Sequence, residues 1–163
     1  MPLVAGDRAF QQGIADWMLK EGFPELAHLG RYKPFAAMGL KTDDGKLYGG
    51  LILTNYTGFD AELTVYVSKM YLMRIQDLKR LFQWFFDDMG LVRMTARIAP
   101  DNERSINIAK KLGFQQEGII RKGLDGKRDV ILFGLLREDC KLLVTPKAAD
   151  GRAADIEHDG NLS

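Results

Sequence analysis

The stretch from Val92 to Phe114, VRMTARIAPDNERSINIAKKLGF, leaves the chain few folds to choose from. Val92, Met94, Ala96 and Ile98 alternate with Arg93, Thr95 and Arg97, the period of two that a half-buried strand requires. Pro100 has no N–H and stops the ladder. Asp101 and Asn102 then offer short side-chain oxygens to the orphan N–H groups of a starting helix. That helix runs to Leu112, and Gly113, free to take a positive φ, ends it. Strand, polar break and capped helix present free backbone donors at the carboxyl end of a strand, where open α/β sheets take their ligands.

The flanking segments set the rest of the order. Arg8 to Lys20 reads as a helix with Phe10, Ile14, Trp17 and Met18 on one face and Asp7 as its cap; Gly22-Phe23-Pro24 breaks it, and Glu25 to Gly30 has room for one more turn. Phe35 to Leu40 and Leu47 to Asn55 read as strands joined at Asp43-Asp44-Gly45, with Gly49 and Gly50 as a bulge signal. After a turn at Thr57-Gly58, Ala61 to Ser68 is a third strand rich in β-formers. Ile75 to Met89 is the strongest helical pattern, with Ile75, Leu78, Phe82, Phe85 and Met89 in a stripe that Phe86 widens and Gly90 ending it. Gln115 to Gly123 and Asp129 to Leu136 form a hairpin around Asp125-Gly126-Lys127. A short first strand has room at Leu3 to Ala5.

Helix, three meandering strands, helix, strand, helix and two strands make an α+β domain with a mixed sheet, expected over residues 1–144. Residues 145–163 read as a polar tail in which Asp150, Asp155, Glu157 and Asp159 outnumber Lys147 and Arg152.

The segment N-x-x-S-I-x-x-A-x-K-L-G-F-x-x-E-G, from Asn102 to Gly118, resembles the GNAT N-acyltransferases, and most of all the branch that acetylates protein amino termini and ribosomal proteins. The likeness is specific from about Glu62 to Leu136. It implies a mostly antiparallel sheet split into a V, with acetyl-CoA held in the notch between the strands Ala61 to Ser68 and Val92 to Ile98. It also implies direct transfer of acetyl to a primary amine, a protein amino terminus or a lysine. Residues expected along acetyl-CoA are Tyr66 and Val67 at the strand end, Lys69, Met70, Tyr71, Leu72, Met73, Arg74 and Ile75 in the next loop, and Asn102 and Ser105 beyond.

In the family that loop follows the pattern R/Q-x-x-G-x-G/A, whose glycines let backbone N–H groups approach the pyrophosphate. Here Lys69 stands for the first residue, while Leu72 and Arg74 replace the small ones. Arg74, Lys79 and Arg80 offer charge-assisted phosphate contacts instead. The plainer alternative is a solvated basic face that no longer cradles phosphate. By resemblance Asn102 fixes the pantetheine arm and Ser105 protonates the leaving thiolate; the alternative is a cap and a first-turn residue. Glu62 corresponds to the strand carboxylate that deprotonates the amine in many relatives; the alternative is an edge-strand glutamate facing water. Where many relatives carry a tyrosine acid this chain has Ala109.

A second reading is a GNAT-fold binding or structural module without catalysis. It draws on the altered loop and on a loose similarity to GNAT-like proteins of tailed phages, some of them virion components. The tail or the face around Trp84, off its helix's apolar stripe, would then meet a protein partner.

A net charge of +1 gives no field toward nucleic acid, and no apolar run approaches the ~20 residues of a membrane span. The lone Cys140 excludes an internal disulfide and fits a reducing compartment; with MPLVAGDRAF unlike a signal peptide, a cytoplasmic protein is expected. His28 and His158 have no partners at ligand spacing, so no metal is expected. Asp129 is expected to hold a turn.

Overall fold

The computed structural model describes residues 3–4, 6–23 and 36–143. The turn expected at Glu25 to Gly30, both histidines and the polar stretch 145–163 lie outside the described residues. Strand β1 (Leu3–Val4) precedes helix α1 (Arg8–Gly22), whose cap Asp7 accepts from the Phe10 N–H at 2.9 Å. The meander β2 (Ala36–Lys41), β3 (Leu47–Thr54) and β4 (Asp60–Val67) follows. Then come α2 (Ile75–Gln83), β5 (Arg93–Ile98), α3 (Glu103–Leu112), β6 (Gln115–Ile120) and β7 (Val130–Leu136).

The strands form one sheet in the order β1-β2-β3-β4-β5-β7-β6. Every neighbouring pair is antiparallel except β4–β5. That parallel pair registers only Asp60 with Arg93, Ala61 with Met94 and Glu62 with Thr95, although β4 runs on to Val67 and β5 to Ile98. The two strands therefore part after Glu62 and Thr95, which is the V expected from the resemblance. The expected bulge lies beside the glycine pair: Leu40 faces Gly49 and Lys41 faces Leu47, leaving Tyr48 as the extra residue.

Alternation along the strands supplies two cores. On one face Phe82, Phe85, Met94, Phe133 and Leu135 are buried together with Ala109 of α3. On the other, α1 lays Ile14, Ala15 and Met18 over Ala37 and Ile52. Gly50 lets α1 come this close, since a Cβ there would sit 2.8 Å from the Met18 sulfur.

Two details of α2 differ from the sequence pattern. After Gln83 the helix widens into a π turn over Trp84–Asp88, in which the Met89 N–H donates to the Trp84 carbonyl at 2.9 Å. The extra residue in that turn lets the consecutive Phe85 and Phe86 both enter the core beside Phe82. Trp84 is half-buried, its ring centroid 5.3 Å from that of Phe85. The second difference is at the helix start: Ile75, placed at the head of the apolar stripe, is 70% exposed, and Asp77 is buried in its stead.

The caps of α3 are as expected. Asn102 Oδ1 accepts from the Ser105 N–H at 3.1 Å, and Gly113 takes φ +108° while its N–H bonds the Ala109 and Lys110 carbonyls. Cys140 is buried behind this helix, and burial pushes its thiol above the usual range. The β6–β7 loop closes on Asp125, which accepts from the Lys127 and Arg128 N–H groups at 2.9 and 2.8 Å and from Arg128 Nε at 2.8 Å. Those donors hold its carboxyl well below the ordinary carboxylate range. Asp129 serves the same loop by accepting from the Lys122 N–H at 2.8 Å.

Candidate active site

Where β4 and β5 part, the structure opens a cleft of about 1320 Å³. Val67, Met70, Leu78, Ala96, Ile108 and Ala109 give it apolar walls. Glu62, Arg97, Asn102 and Ser105 bring polar groups to the same space, and Gly123, Leu124 and Arg128 approach from the β6–β7 loop. A long apolar slot with a few convergent polar groups is what a small-molecule site requires.

Glu62 stands at the last registered pair before the strands separate. Its side chain is only 12% exposed, and β4 is an interior strand, so the water-facing edge position is ruled out. One carboxylate oxygen faces Arg97 Nε at 3.3 Å, and the other accepts from Asn55 Nδ2 at 2.9 Å. Asn55 reaches this point from a left-handed conformation, φ +52°, just after β3. Two donors from two other segments thus fix the rotamer of Glu62, and one of them, Arg97, brings a positive charge beside it. Behind it, Asp60 accepts from the Thr95 hydroxyl at 3.0 Å and lies 3.6 Å from Arg93 Nε. Arg93 in turn pairs with Glu117 at 2.7 Å, so the closed end of the V is a chain of paired charges.

Ser105 lies across the cleft, half-buried in the first turn of α3. Its hydroxyl makes no hydrogen bond among the described residues, and its N–H is taken by the cap Asn102. The Asn102 side chain is therefore already engaged as a cap, and it lines the cleft as well.

The loop before α2 folds without the two glycines. Met70–Leu72 makes a 3-10 turn, and Lys69, Met73 and Arg74 all have negative φ, so the side chains at 72 and 74 cost no left-handed strain. Leu72 N–H and Met73 N–H are spent inside the turn, on the Lys69 and Met70 carbonyls at 3.0 and 3.1 Å. At the helix start no side chain caps α2. The N–H groups of Ile75 and Gln76 accordingly remain available among the described residues, at the positive end of the helix dipole.

Of the residues expected along the slot, Tyr66, Val67, Met70, Met73, Asn102 and Ser105 line it together with Glu62. Lys69, Tyr71, Leu72, Arg74 and Ile75 do not; Tyr71 is 81% exposed. Three residues of the site were missed in the sequence. Arg97 and Asn55 become partners of Glu62 only through strand register, which no local pattern reveals. Asp77 did leave a signal: it precedes Leu81 by one helical turn and Phe85 by two, so a charge sits on the buried stripe. It is 7% exposed, lines the cleft, and its Oδ2 has no hydrogen-bond partner.

A mixed sheet parted at its parallel strand pair, with helices on both faces, is the fold of the GNAT acyltransferases. The chain belongs to that family: the acetyltransferase (GNAT) domain model matches residues 12–115. Solved structures of the spermidine N-acetyltransferase SpeG from Vibrio cholerae share the fold. One variant superposes with a TM-score of 0.62 over 85% of this chain and 96% of that one, at 18% identity. The spermidine/spermine N-acetyltransferase SpeG in complex with manganese ions gives 0.61 over 83% and 92%, also at 18% identity. A curated relative, the uncharacterized N-acetyltransferase p20 of Bacillus licheniformis, is 32% identical over 65 residues. That match spans 38% of this chain and 36% of the relative. No helix among the described residues is long and apolar enough to cross a membrane.

Proposed function

We propose that this protein transfers acetyl from acetyl-CoA to a primary amine by direct attack, with Glu62 as general base and Ser105 as the acid for the departing thiolate. One observation carries the reading: a fixed, nearly buried carboxylate and a hydroxyl without a partner among the described residues line one cleft where the sheet splits. Acyl transfer from a thioester needs a neutral amine, a polarised carbonyl and a proton for the leaving group. Glu62, held by Arg97 and Asn55, takes the amine proton directly or through water. Backbone groups of β4 beyond Glu62, no longer paired with β5, can hold the arm and the carbonyl oxygen. The residues fit acetyl-CoA: apolar walls for the arm, free N–H groups at the start of α2 for phosphate, and Asn102 and Ser105 near the thioester end. Arg74, at the helix start, adds charge from outside the slot.

The acceptor class we favour is a protein amino terminus or lysine. SpeG is described as acting on spermidine, a polycation. The acids of this cleft, Glu62, Asp77 and Asp101, are matched by as many cations, Arg97, Arg104 and Arg128, with Glu62 facing Arg97 and Asp101 facing Arg128. That balance supports an acceptor carrying a single amine.

Calorimetry with acetyl-CoA, followed by turnover on amino-terminal peptides, lysine peptides and spermidine, tests both levels. Binding with turnover on a peptide supports the proposal, and turnover on spermidine alone refutes the acceptor class. Absence of heat and of thermal shift at millimolar acetyl-CoA leaves the binding-module reading.

A further inference from the structure

Asp77 is buried, acidic and incompletely bonded. It lies in the first turn of α2, 7% exposed, and Oδ2 is buried with no partner. It lines the cleft together with Val67, Met70 and Leu78. Tyr48, 3% exposed on the bulge of β3, is its electrostatic neighbour: burial first, and the Asp77 charge second, push that hydroxyl above the usual phenol range. The helix dipole offsets only part of the cost of burying this carboxylate. Desolvation outweighs that contribution, so an unpartnered carboxylate is a net liability to the free protein. A Leu or Ala at this position of an amphipathic helix removes that cost.

The missing partner must be a donor. A phosphate oxygen is excluded as a direct neighbour, because two anions at contact distance in a buried place repel strongly. The pantetheine arm of acetyl-CoA, by contrast, carries secondary amide N–H groups and a hydroxyl, all donors. On the reading that the cleft takes acetyl-CoA, we infer that Asp77 is a ligand-binding residue whose carboxylate, turning its unpartnered oxygen toward the cleft, accepts a hydrogen bond from the arm. The pyrophosphate is then kept on the outer side, against the Ile75 and Gln76 N–H groups and Arg74. Asp77 thereby sets the depth at which the arm leaves the phosphate end and enters the slot.

The test uses two probes, acetyl-CoA and the phosphate-free S-acetylpantetheine, with calorimetry on wild type, Asp77→Leu and Asp77→Asn, and thermal melts of each protein without ligand. Asp77→Leu should weaken both probes about ten- to hundredfold, the worth of a hydrogen bond to a charged acceptor. The same substitution should raise the melting temperature of the free protein, a pairing that a merely structural role does not produce. Asp77→Asn keeps an acceptor oxygen and should lose only a few-fold; it carries the test if the Leu variant fails to fold. Unchanged or tighter binding of both probes by the Leu variant overturns the assignment, as does a change for acetyl-CoA with none for S-acetylpantetheine. If wild-type protein binds both probes and the variants match it, the assignment of Asp77 alone falls. If wild-type protein binds neither, the acetyl-CoA reading falls and takes the assignment with it.

Discussion

Replacing Glu62 by Gln should turn the pH dependence of the rate into a readout of the acceptor. The change is nearly isosteric, and the Asn55 contact at 2.9 Å survives on the amide oxygen. The pair with Arg97 at 3.3 Å is lost, but Arg97 is 43% exposed and resolvates, so the stability cost is about 1 kcal/mol or less. The catalytic cost is larger. A placed base contributes about 10²–10⁴ in rate, and water replaces part of it, so a loss near 10² at pH 7 is expected. Without the base, rate follows the fraction of amine that is already neutral. A peptide amino terminus with a pKa near 7.7–8.0 is roughly a tenth neutral at pH 7, so the variant should gain about tenfold by pH 9 and then level off. A lysine with a pKa near 10.4 should instead gain about tenfold per pH unit through pH 10. The assay is initial rate against pH, with thiol release as the signal and peptides of both kinds as acceptors. A variant that matches wild type at pH 7 would falsify the base assignment and reduce Glu62 to a bridge between Asn55 and Arg97.

The other expectations are more direct. Ser105→Ala should lower kcat by about 10² and leave acetyl-CoA affinity nearly unchanged, since a general acid acts mainly in the transition state; equal losses in affinity and turnover would make Ser105 a binding residue. Arg74→Glu should weaken acetyl-CoA at least tenfold, ~1.4 kcal/mol for reversing one phosphate contact, with S-acetylpantetheine unaffected; calorimetry showing no difference would mean that phosphate does not reach α2. Gly113→Ala should cost about 2–4 kcal/mol, because φ is +108° and the new Cβ would run into the Asp139 carbonyl oxygen. A melting temperature lower by on the order of 10 °C checks this.

What the sequence made legible was local. Asp7, Asn102 and Gly113 punctuate helices through bonds to residues three or four positions away, so their roles follow from spacing. The alternation of Met94, Ala96 and Ile98 with Arg93, Thr95 and Arg97 likewise told which side chains of β5 face the core, whereas Val92, read as part of the same stripe, precedes the strand and is 58% exposed. The loop 69–74 also kept its place, though the extent of its role did not follow: the residues that line the slot are Met70 and Met73, while Arg74 stands outside it. What stayed hidden depends on contacts distant in sequence. Glu62 and Arg97 meet because the parallel register sets Glu62 beside Thr95 and then stops. The π turn at Trp84 exists because it buries Phe85 and Phe86 together, a tertiary gain that overrides the helical period.

The two irregular points in the sheet and its helix share a cause. A regular parallel ladder from Asp60 to Val67 would consume the backbone groups of β4 and leave no slot, so the pairing ends after Glu62. Ending it exposes apolar side chains of both strands, and α2 and α3 cover them from one face with Leu78, Phe82 and Ile106. The slot between sheet and helices is then apolar along Val67, Leu78 and Ala109, which is where a charge is most expensive. Glu62 sits where the strands begin to part, with two donors; Asp77 lines the slot with an oxygen that has none. A carboxylate in the first position already has its bonds in the free protein. One in the second gains its full set of bonds only when a donor enters. On the function proposed above, this difference in pairing is what distinguishes a group expected to move a proton from a group expected to meet a ligand.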